Sequence, residues 1–427
     1  MRKVVLIVVD GLTPGLFEHA VETGRAPALA HLAEHGSYRR AVSTFPSLTP
    51  VCLSSIATGA HPDVHEIPHL VWWNRAERRL VEYGSSFGAI RAAGLSRSIL
   101  DTIYGLSAEH LSRRAVTLFE AVEDAGLTAA AINITCYRGR HKHLPRIPGT
   151  AKAAYGPKRF FFYSLFESDV TGAPLAVRNR AGGTIDAYAA TVGRWLVTRD
   201  GFDCLVYYLS DLDYASHVFG PDNVDEALGR VDTCVATLLA AAGGPDEFLE
   251  RYDVVLCSDH GQTRVDRTAG LHELFPDAIV AASNRAGMIY GDDPRALAQR
   301  LDGHEAVETA LFLENGEAVA RRDGVDVPLE ELGYPDGPGR IRAALANRNA
   351  GEVILSAAPG WEFADLGGGH HAGGGSHGSV TVGDSEVPML TIGIPTPPES
   401  ITGVAPAILE HLGVPLPDYV RSVGPVR

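Results

Sequence analysis

Four short apolar runs, each closed by a polar or acidic residue, constrain the fold of this chain more than any other feature. They are residues 4–9 before Asp10, 129–134 before Thr135, 205–209 before Ser210-Asp211, and 254–257 before Ser258-Asp259. Runs this short, without polar alternation, read as strands buried on both faces, as in parallel sheets. Between them lie helix-like stretches, among them 27–35, 49–58, 117–125, 185–198 and 224–242. The alternation implies an α/β fold: a mostly parallel central sheet with helices on both faces, whose ligands gather at the carboxyl ends of the strands. The polar residues that close the runs therefore converge on one edge.

From about Thr263 to Asp365 the pattern changes, with strand candidates at 287–290 and 309–313 and a Gly/Pro-rich segment at 333–339. A single catalytic domain over 1–427 is expected, with a smaller subdomain inserted over about 265–365. Strand-like sequence returns at 386–393, and a last helix is expected at 404–412. No apolar stretch approaches the roughly 20 residues that span a bilayer, so no membrane partner is expected. The first apolar run meets Asp10-Gly11 without a small-residue cleavage site and reads as a strand, not a signal peptide. Five cysteines, odd in number and without CxxC spacing, read as reduced core thiols of a cytoplasmic protein. The sequon Asn133-Ile134-Thr135 then has no glycosylation meaning. A net charge of -15 repels a nucleic acid polymer, and a phosphate-bearing ligand would need locally positive groups such as bound cations.

At the shared edge, Asp10, Asp213, His217, Asp259 and His260 would form one cluster of oxygen and nitrogen donors. A spacing of four lets Asp213 and His217 face one way on a helix. Each residue also has a structural alternative: Asp10 and Asp259 as turn residues, Asp213 as a helix cap beside a surface histidine. Such a donor mixture suits Zn²⁺ or a similar first-row ion, with room for two, and cations would relieve the repulsion among buried carboxylates. Thr49-Pro50 reads as an N-cap followed by proline at the first helical position. A hydroxyl there sits in the positive end of the helix dipole and is a candidate nucleophile if a metal lowers its pKa; a purely structural cap is the alternative. His65-Glu66-Ile67-Pro68-His69 fits the HExxH metalloprotease pattern, but Pro68 would break the helix that pattern requires.

The order Asp10, Thr49 ahead of Thr58-Gly59, Asp213-x-x-x-His217, Ser258-Asp259-His260-Gly261 and Ser376-His377-Gly378 resembles the type I phosphodiesterase/nucleotide pyrophosphatase branch of the alkaline phosphatase superfamily. The loop Ala60-His61-Pro62-Asp63-Val64-His65 is similar too, and the motifs leave Arg264 to Asp365 uncovered. The resemblance implies an alkaline-phosphatase-like fold and two divalent metal ions, Zn²⁺ in first place. It implies Asp213, His217 and His377 as ligands of one ion, and Asp10, Thr49, Asp259 and His260 as ligands of the other. Thr49 would be the nucleophile of a covalent phosphothreonine mechanism that cleaves phosphodiester or pyrophosphate bonds of a small molecule. The alternatives are a phosphomonoesterase, a phosphonate hydrolase, or an inert metal-bound binding protein. No Cys-x-Pro-x-Arg sulfatase sequence is present.

Beside Thr49, Pro50 has no N–H and Cys52 is a poor donor, so phosphate oxygens need donors from elsewhere. The candidates are His370 and His371 in the glycine-rich segment 367–378 and the basic segment Arg138-Gly139-Arg140-His141-Lys142-His143. Trp72-Trp73-Asn74 is a further candidate for substrate contact, with Asn74 as its polar member. The sequence does not specify an oligomeric state.

Overall fold

In the computed structural model, which describes residues 2–146, 152–168, 184–369 and 371–421, the four apolar runs stand as neighbours in one sheet. Its eight strands run in the order Ser37–Val42, Glu386–Ile392, Tyr252–Cys257, Lys3–Val9, Cys204–Leu209, Ala129–Ile132, Arg159–Phe162, Phe166–Glu167. Lys3–Val9 pairs in parallel with Tyr252–Cys257 and with Cys204–Leu209, and parallel pairing continues through Ala129–Ile132 to Arg159–Phe162. Antiparallel pairing enters only at the flanks, where Glu386–Ile392 opposes both neighbours and Phe166–Glu167 closes the far edge.

Packing explains why these strands lack polar alternation. Val5, Ile7, Val9, Leu205, Leu209 and Leu256 face one apolar layer, which includes Leu32 of helix Pro27–His35, Leu196 of Ile185–Thr198 and Val235 of Asp225–Ala240. The intervening Val4, Leu6, Val8, Val206 and Val255 face a second layer with Ile56 of helix Thr49–Thr58, Phe119 of Leu118–Asp124 and Ile408 of Val404–His411. Successive strand side chains point to opposite faces, so a sheet covered on both sides requires apolar residues at every position. Each such side chain contributes about 1.5–3 kcal/mol by leaving water.

Two departures from the sequence reading have local causes. The strand expected over 129–134 ends at Ile132, because Asn133 adopts a left-handed φ of 59° and its side chain accepts from the Tyr163 amide at 2.9 Å. Ser37–Val42, which carries no strand signal in the sequence, is a polar edge strand whose Arg40 pairs with Glu18 and Glu386. Edge strands carry charge on their open side, and that charge hides their β character.

Between residues 279 and 357 a second, six-stranded antiparallel sheet forms in the order Ile279–Ser283, Ala286–Tyr290, Val353–Ala357, Val307–Glu314, Glu317–Arg322, Val325–Val327. One of its apolar layers takes in Phe45 and Val71, so this sheet shares a core with the N-terminal part of the chain. Ser283 pairs with Ala286, leaving Asn284 and Arg285 at the tip of a tight hairpin. The HExxH pattern does not form a continuous helix: Pro62–His65 stops at Glu66, which has φ 65°. All five cysteines are buried and unlinked. Among the described residues no helix is long and apolar enough to cross a membrane.

Candidate metal centre

The sheet register brings the carboxyl ends of three parallel strands together, with Val9 opposite Leu209 and Val8 opposite Cys257. Asp10 follows the first strand, Ser258-Asp259-His260 follows another, and helix Asp211–Phe219 starts one residue after the third. Neither capping alternative is realised. Ser210 occupies the N-cap of helix Asp211–Phe219, and Asp213 lies inside the helix with its carboxylate 3.2 Å from His217 Nε2. Thr49 is the first residue of its helix rather than the cap; Leu48 holds the cap position, and the Thr49 hydroxyl lies 3.1 Å from His260 Nε2.

Around that hydroxyl, oxygen and nitrogen donors crowd together out of water. His260 Nε2 lies 3.2 Å from Asp10 Oδ1 and 3.5 Å from Asp259 Oδ2. The other Asp10 oxygen accepts from the Tyr208 hydroxyl, and Asp259 Oδ1 accepts from the amides of Gly11 at 3.3 Å and His260 at 3.0 Å. Asp10 Oδ1 and Asp259 Oδ2 are buried with no hydrogen-bond donor. Buried polar atoms are normally satisfied, so two orphaned carboxylate oxygens converging on one imidazole mark a position that requires positive charge. The titration directions agree. Burial and then the Asp10 charge push Asp259 well above the usual carboxylate range. Burial opposes charge on His260, yet Asp259 and Asp10 outweigh it and hold the imidazole well above its usual value.

A second group adjoins the first. Asp213 Oδ1 accepts from Gln262 Nε2 and lies 3.8 Å from His377 Nε2. Burial opposes ionisation of Asp213, but His217 outweighs it and holds the carboxyl below the usual range. Burial and the neighbouring His260 drive His377 well below its usual value. The rings of His260 and His377 stack with centroids 3.5 Å apart and 9° between planes. Ligand atoms of Asp10, Asp259 and His260 lie within 4.8 Å of one another, as do those of Asp213, His260 and His377.

Backbone carbonyls orient all three imidazoles in the same way. Nδ1 of His260 faces Gly261 O at 3.0 Å, Nδ1 of His217 faces Gly375 O at 2.8 Å, and Nδ1 of His377 faces Ser47 O at 2.8 Å. A carbonyl only accepts, so each Nδ1 carries a proton and each Nε2 is turned into the cluster, the arrangement by which outer partners prepare histidine for a metal. The glycine-rich segment makes this approach possible: a Cβ on Gly374 would fall 2.0 Å from the His217 carbonyl oxygen. The donor set therefore suits divalent metal ions. Asp10, Asp259, His260 and the Thr49 hydroxyl offer three oxygens and a nitrogen; Asp213, His217 and His377 offer one oxygen and two nitrogens.

The remaining sequence candidates separate. His371 joins the cluster's rim: its ring stacks on His217 with centroids 3.9 Å apart, and Nδ1 faces Glu362 Oε2 at 2.9 Å. His370 lies outside the described residues. Arg138 is not a phosphate donor, because its buried guanidinium commits every N–H to Glu120 and to the carbonyls of Leu111, Ser112 and Ala115. Arg140 pairs with Asp124 and Glu120 on the face of helix Leu118–Asp124, and His143 faces Pro157 O at 2.8 Å. Asn74 closes a hairpin turn, accepting from the Ala76 and Glu77 amides at 3.1 Å each. Arg138, Arg140 and His143 are thus committed to neighbouring acids and carbonyls.

Three contributors escaped the sequence reading. Buried Asp186 accepts from the Ser210 amide at 2.7 Å and anchors the start of helix Asp211–Phe219. Gln262 lies one residue beyond Ser258-Asp259-His260-Gly261 and carries no ligand signature. Asn284, at the tip of the second sheet's hairpin, places Nδ2 3.2 Å from His377 Nε2; in sequence it reads as an ordinary turn residue.

The sequence profile of the type I phosphodiesterase / nucleotide pyrophosphatase family matches residues 4–380. The chain belongs to that family. Human ectonucleotide pyrophosphatase/phosphodiesterase family member 7 is 21% identical over 281 residues, which cover 63% of this chain and 50% of that protein. The match thus spans half the relative's length. Among solved structures, human ectonucleotide pyrophosphatase / phosphodiesterase 5 superposes with a TM-score of 0.67 at 14% identity, covering 97% of this chain and 96% of the other. Phosphonoacetate hydrolase from Sinorhizobium meliloti 1021, in complex with phosphonoformate, gives a TM-score of 0.65 at 18% identity and covers 96% of each chain. The shared fold is the mixed α/β architecture with a large, mostly parallel sheet described above.

Proposed function

We propose that this family member hydrolyses phosphodiester or pyrophosphate bonds of a small molecule, with Thr49 as the nucleophile at a site for two divalent cations. The observation that carries the reading is the Thr49 hydroxyl, turned away from helix capping and held 3.1 Å from His260 Nε2 beside two orphaned carboxylate oxygens. The murine neighbour, ectonucleotide pyrophosphatase / phosphodiesterase 5, binds AMP in an inactive threonine-to-alanine form, in keeping with a nucleotide-sized phosphoester and an essential threonine. Asp10, Asp259, His260 and Thr49 would hold one ion and Asp213, His217 and His377 the other; Zn²⁺ suits this set. Bound there, the ions would supply Lewis acidity and offset the negative charge that develops on phosphorus.

The chain's own residues set the geometry of the displacement. Thr49 Oγ1 forms the bond to phosphorus as the bond to the leaving oxygen breaks, the hydroxyl proton passing through solvent to the departing oxygen, and water then hydrolyses the phosphothreonine to phosphate ester and free Thr49 hydroxyl. Asp186 and the three carbonyls on the histidine Nδ1 atoms keep the ligand side chains from turning away. The helix that begins at Thr49 directs the positive end of its dipole at the same point. The reading further places the chain in a reducing, cytoplasmic setting, supported by five buried unlinked thiols, and treats 265–365 as a subdomain inserted into one catalytic domain.

The test compares bis-nitrophenyl phosphate, nitrophenyl phosphate and a nitrophenyl phosphonate ester, with and without chelator, for wild type and Thr49→Ala. The diester should dominate, and chelation or Thr49→Ala should each abolish turnover while Thr49→Ala keeps its fold and the ion held by Asp213, His217 and His377. Full activity in Thr49→Ala refutes the nucleophile. Dominance of the monoester or the phosphonate would instead select one of the other phosphorus chemistries on this scaffold.

A further inference from the structure

With Pro50 and Cys52 offering no good donor beside Thr49, some other group must grip the phosphate, and the second sheet delivers one. The hairpin tip between Ile279–Ser283 and Ala286–Tyr290 reaches the centre, where Asn284 is 2% exposed and its Nδ2 lies 3.2 Å from His377 Nε2. Its conformation is fixed from several sides. The Ser283 hydroxyl donates to Asn284 Oδ1 at 2.7 Å, Phe363 N donates to Asn284 O at 2.7 Å, and Arg285 N donates to His377 O at 2.8 Å. Arg285 is itself anchored by a buried ion pair to Asp384 at 2.8 Å. The backbone φ of 57° is one that asparagine tolerates and most side chains do not.

We propose that Asn284 is a phosphate-positioning residue, whose Nδ2 donates to a non-bridging phosphoryl oxygen held beside His377. The inference rests on the phosphoesterase reading of the same centre. An amide nitrogen has two hydrogens and needs acceptors, and here one hydrogen points at His377 Nε2. An imidazole nitrogen that serves a cation has no lone pair left to accept that bond. The carboxamide, clamped by Ser283 and buried, then requires a new acceptor at the same place, and a phosphoryl oxygen brings one. Setting the His377 tautomer does not account for Asn284, because His377 Nδ1 already donates to Ser47 O at 2.8 Å. A carboxylate at position 284 would instead repel both Asp213 and the phosphate.

The experiment loads the full chain with zinc, counts bound metal, and titrates inorganic phosphate calorimetrically into wild type, Asn284→Gly and Asn284→Asp. Glycine keeps the left-handed backbone while removing the amide, and aspartate keeps the side-chain shape while reversing its role. Asn284→Gly should retain the wild-type zinc content and bind phosphate about tenfold or more weakly, the scale of one hydrogen bond to a charged oxygen. Asn284→Asp should bind it more weakly still. Wild-type phosphate affinity in a zinc-replete Asn284→Gly overturns the proposal, and so does loss of zinc from that variant, which would make Asn284 a support for the ligand His377. If zinc-loaded wild type binds no phosphate, the phosphoesterase reading itself fails, a result seen before any variant is compared.

Discussion

Replacing Asp259 by asparagine should stabilise the metal-free protein while it disables the zinc-loaded one. Asp259 Oδ1 accepts from two backbone amides, which an asparagine oxygen can satisfy equally well. Oδ2 is buried without a donor and faces His260 Nε2 at 3.5 Å and the Asp10 carboxylate beyond it. In Asp259→Asn an NH₂ group takes that place, so the native state no longer has to take up a proton or bury a charge at a carboxyl held well above its usual range. Relief of one unsatisfied buried oxygen is worth about 1–3 kcal/mol. A cation reverses the sign: zinc at a hundredfold excess over its Kd stabilises the native state by about 2.7 kcal/mol, most of which the variant forfeits with a ligand. Urea unfolding, read as midpoints at constant slope, with chelator and with zinc, checks both halves. The variant should be the more stable protein under chelation and the less stable one with zinc. If Asp259→Asn loses stability equally in both conditions, the carboxylate is a structural hydrogen-bond acceptor and the cation-site reasoning is wrong.

Glu82 gives a pH test away from the centre. Burial raises its carboxyl to about 7, against opposing bonds from Ser85 and Gly84. Because the folded pKa lies above the unfolded one, the native state binds the extra proton, and stability falls as pH rises from about 4.5 through about 7. Glu82→Gln should flatten that fall in chelated protein; an unchanged pH profile in urea refutes the assignment. Arg138→Met removes one member of the buried pair with Glu120 and should cost about 3–5 kcal/mol of stability, with KM unchanged for the molecules that remain folded. A raised KM would return Arg138 to the substrate site. Gly374→Ala forces a Cβ against the His217 carbonyl, so zinc affinity should fall at least tenfold in a competition titration. Wild-type zinc affinity in the variant would show that the loop can yield.

Much of this centre was legible because its signals are local. Asp10, Asp213, Asp259 and His260 follow apolar runs, and a parallel sheet aligns strand ends whatever its exact order. His217 follows Asp213 at helical spacing, and Thr49 opens a helix whose expected limits, 49–58, are those observed. The failures share a cause as well. Arg138 and Arg140 resembled a phosphate grip because basic residues close in sequence look like a patch, but helix Leu118–Asp124 sets Glu120 and Asp124 against them. The edge strand Ser37–Val42 was hidden by the charges that protect it. Asn284 has no signature, since its importance comes from one contact with a residue 93 positions away.

What the sequence holds by itself, then, is the architecture and the kinds of donor that close its strands: apolar periodicity reports burial on both faces, and donor chemistry belongs to the residue type. Which way the Thr49 hydroxyl turns, which arginines are already committed, and which amide meets His377 were decided by the tertiary structure. Those outcomes depend on the register and docking of segments far apart in the chain, where a shift of one residue would place a different side chain at the cluster.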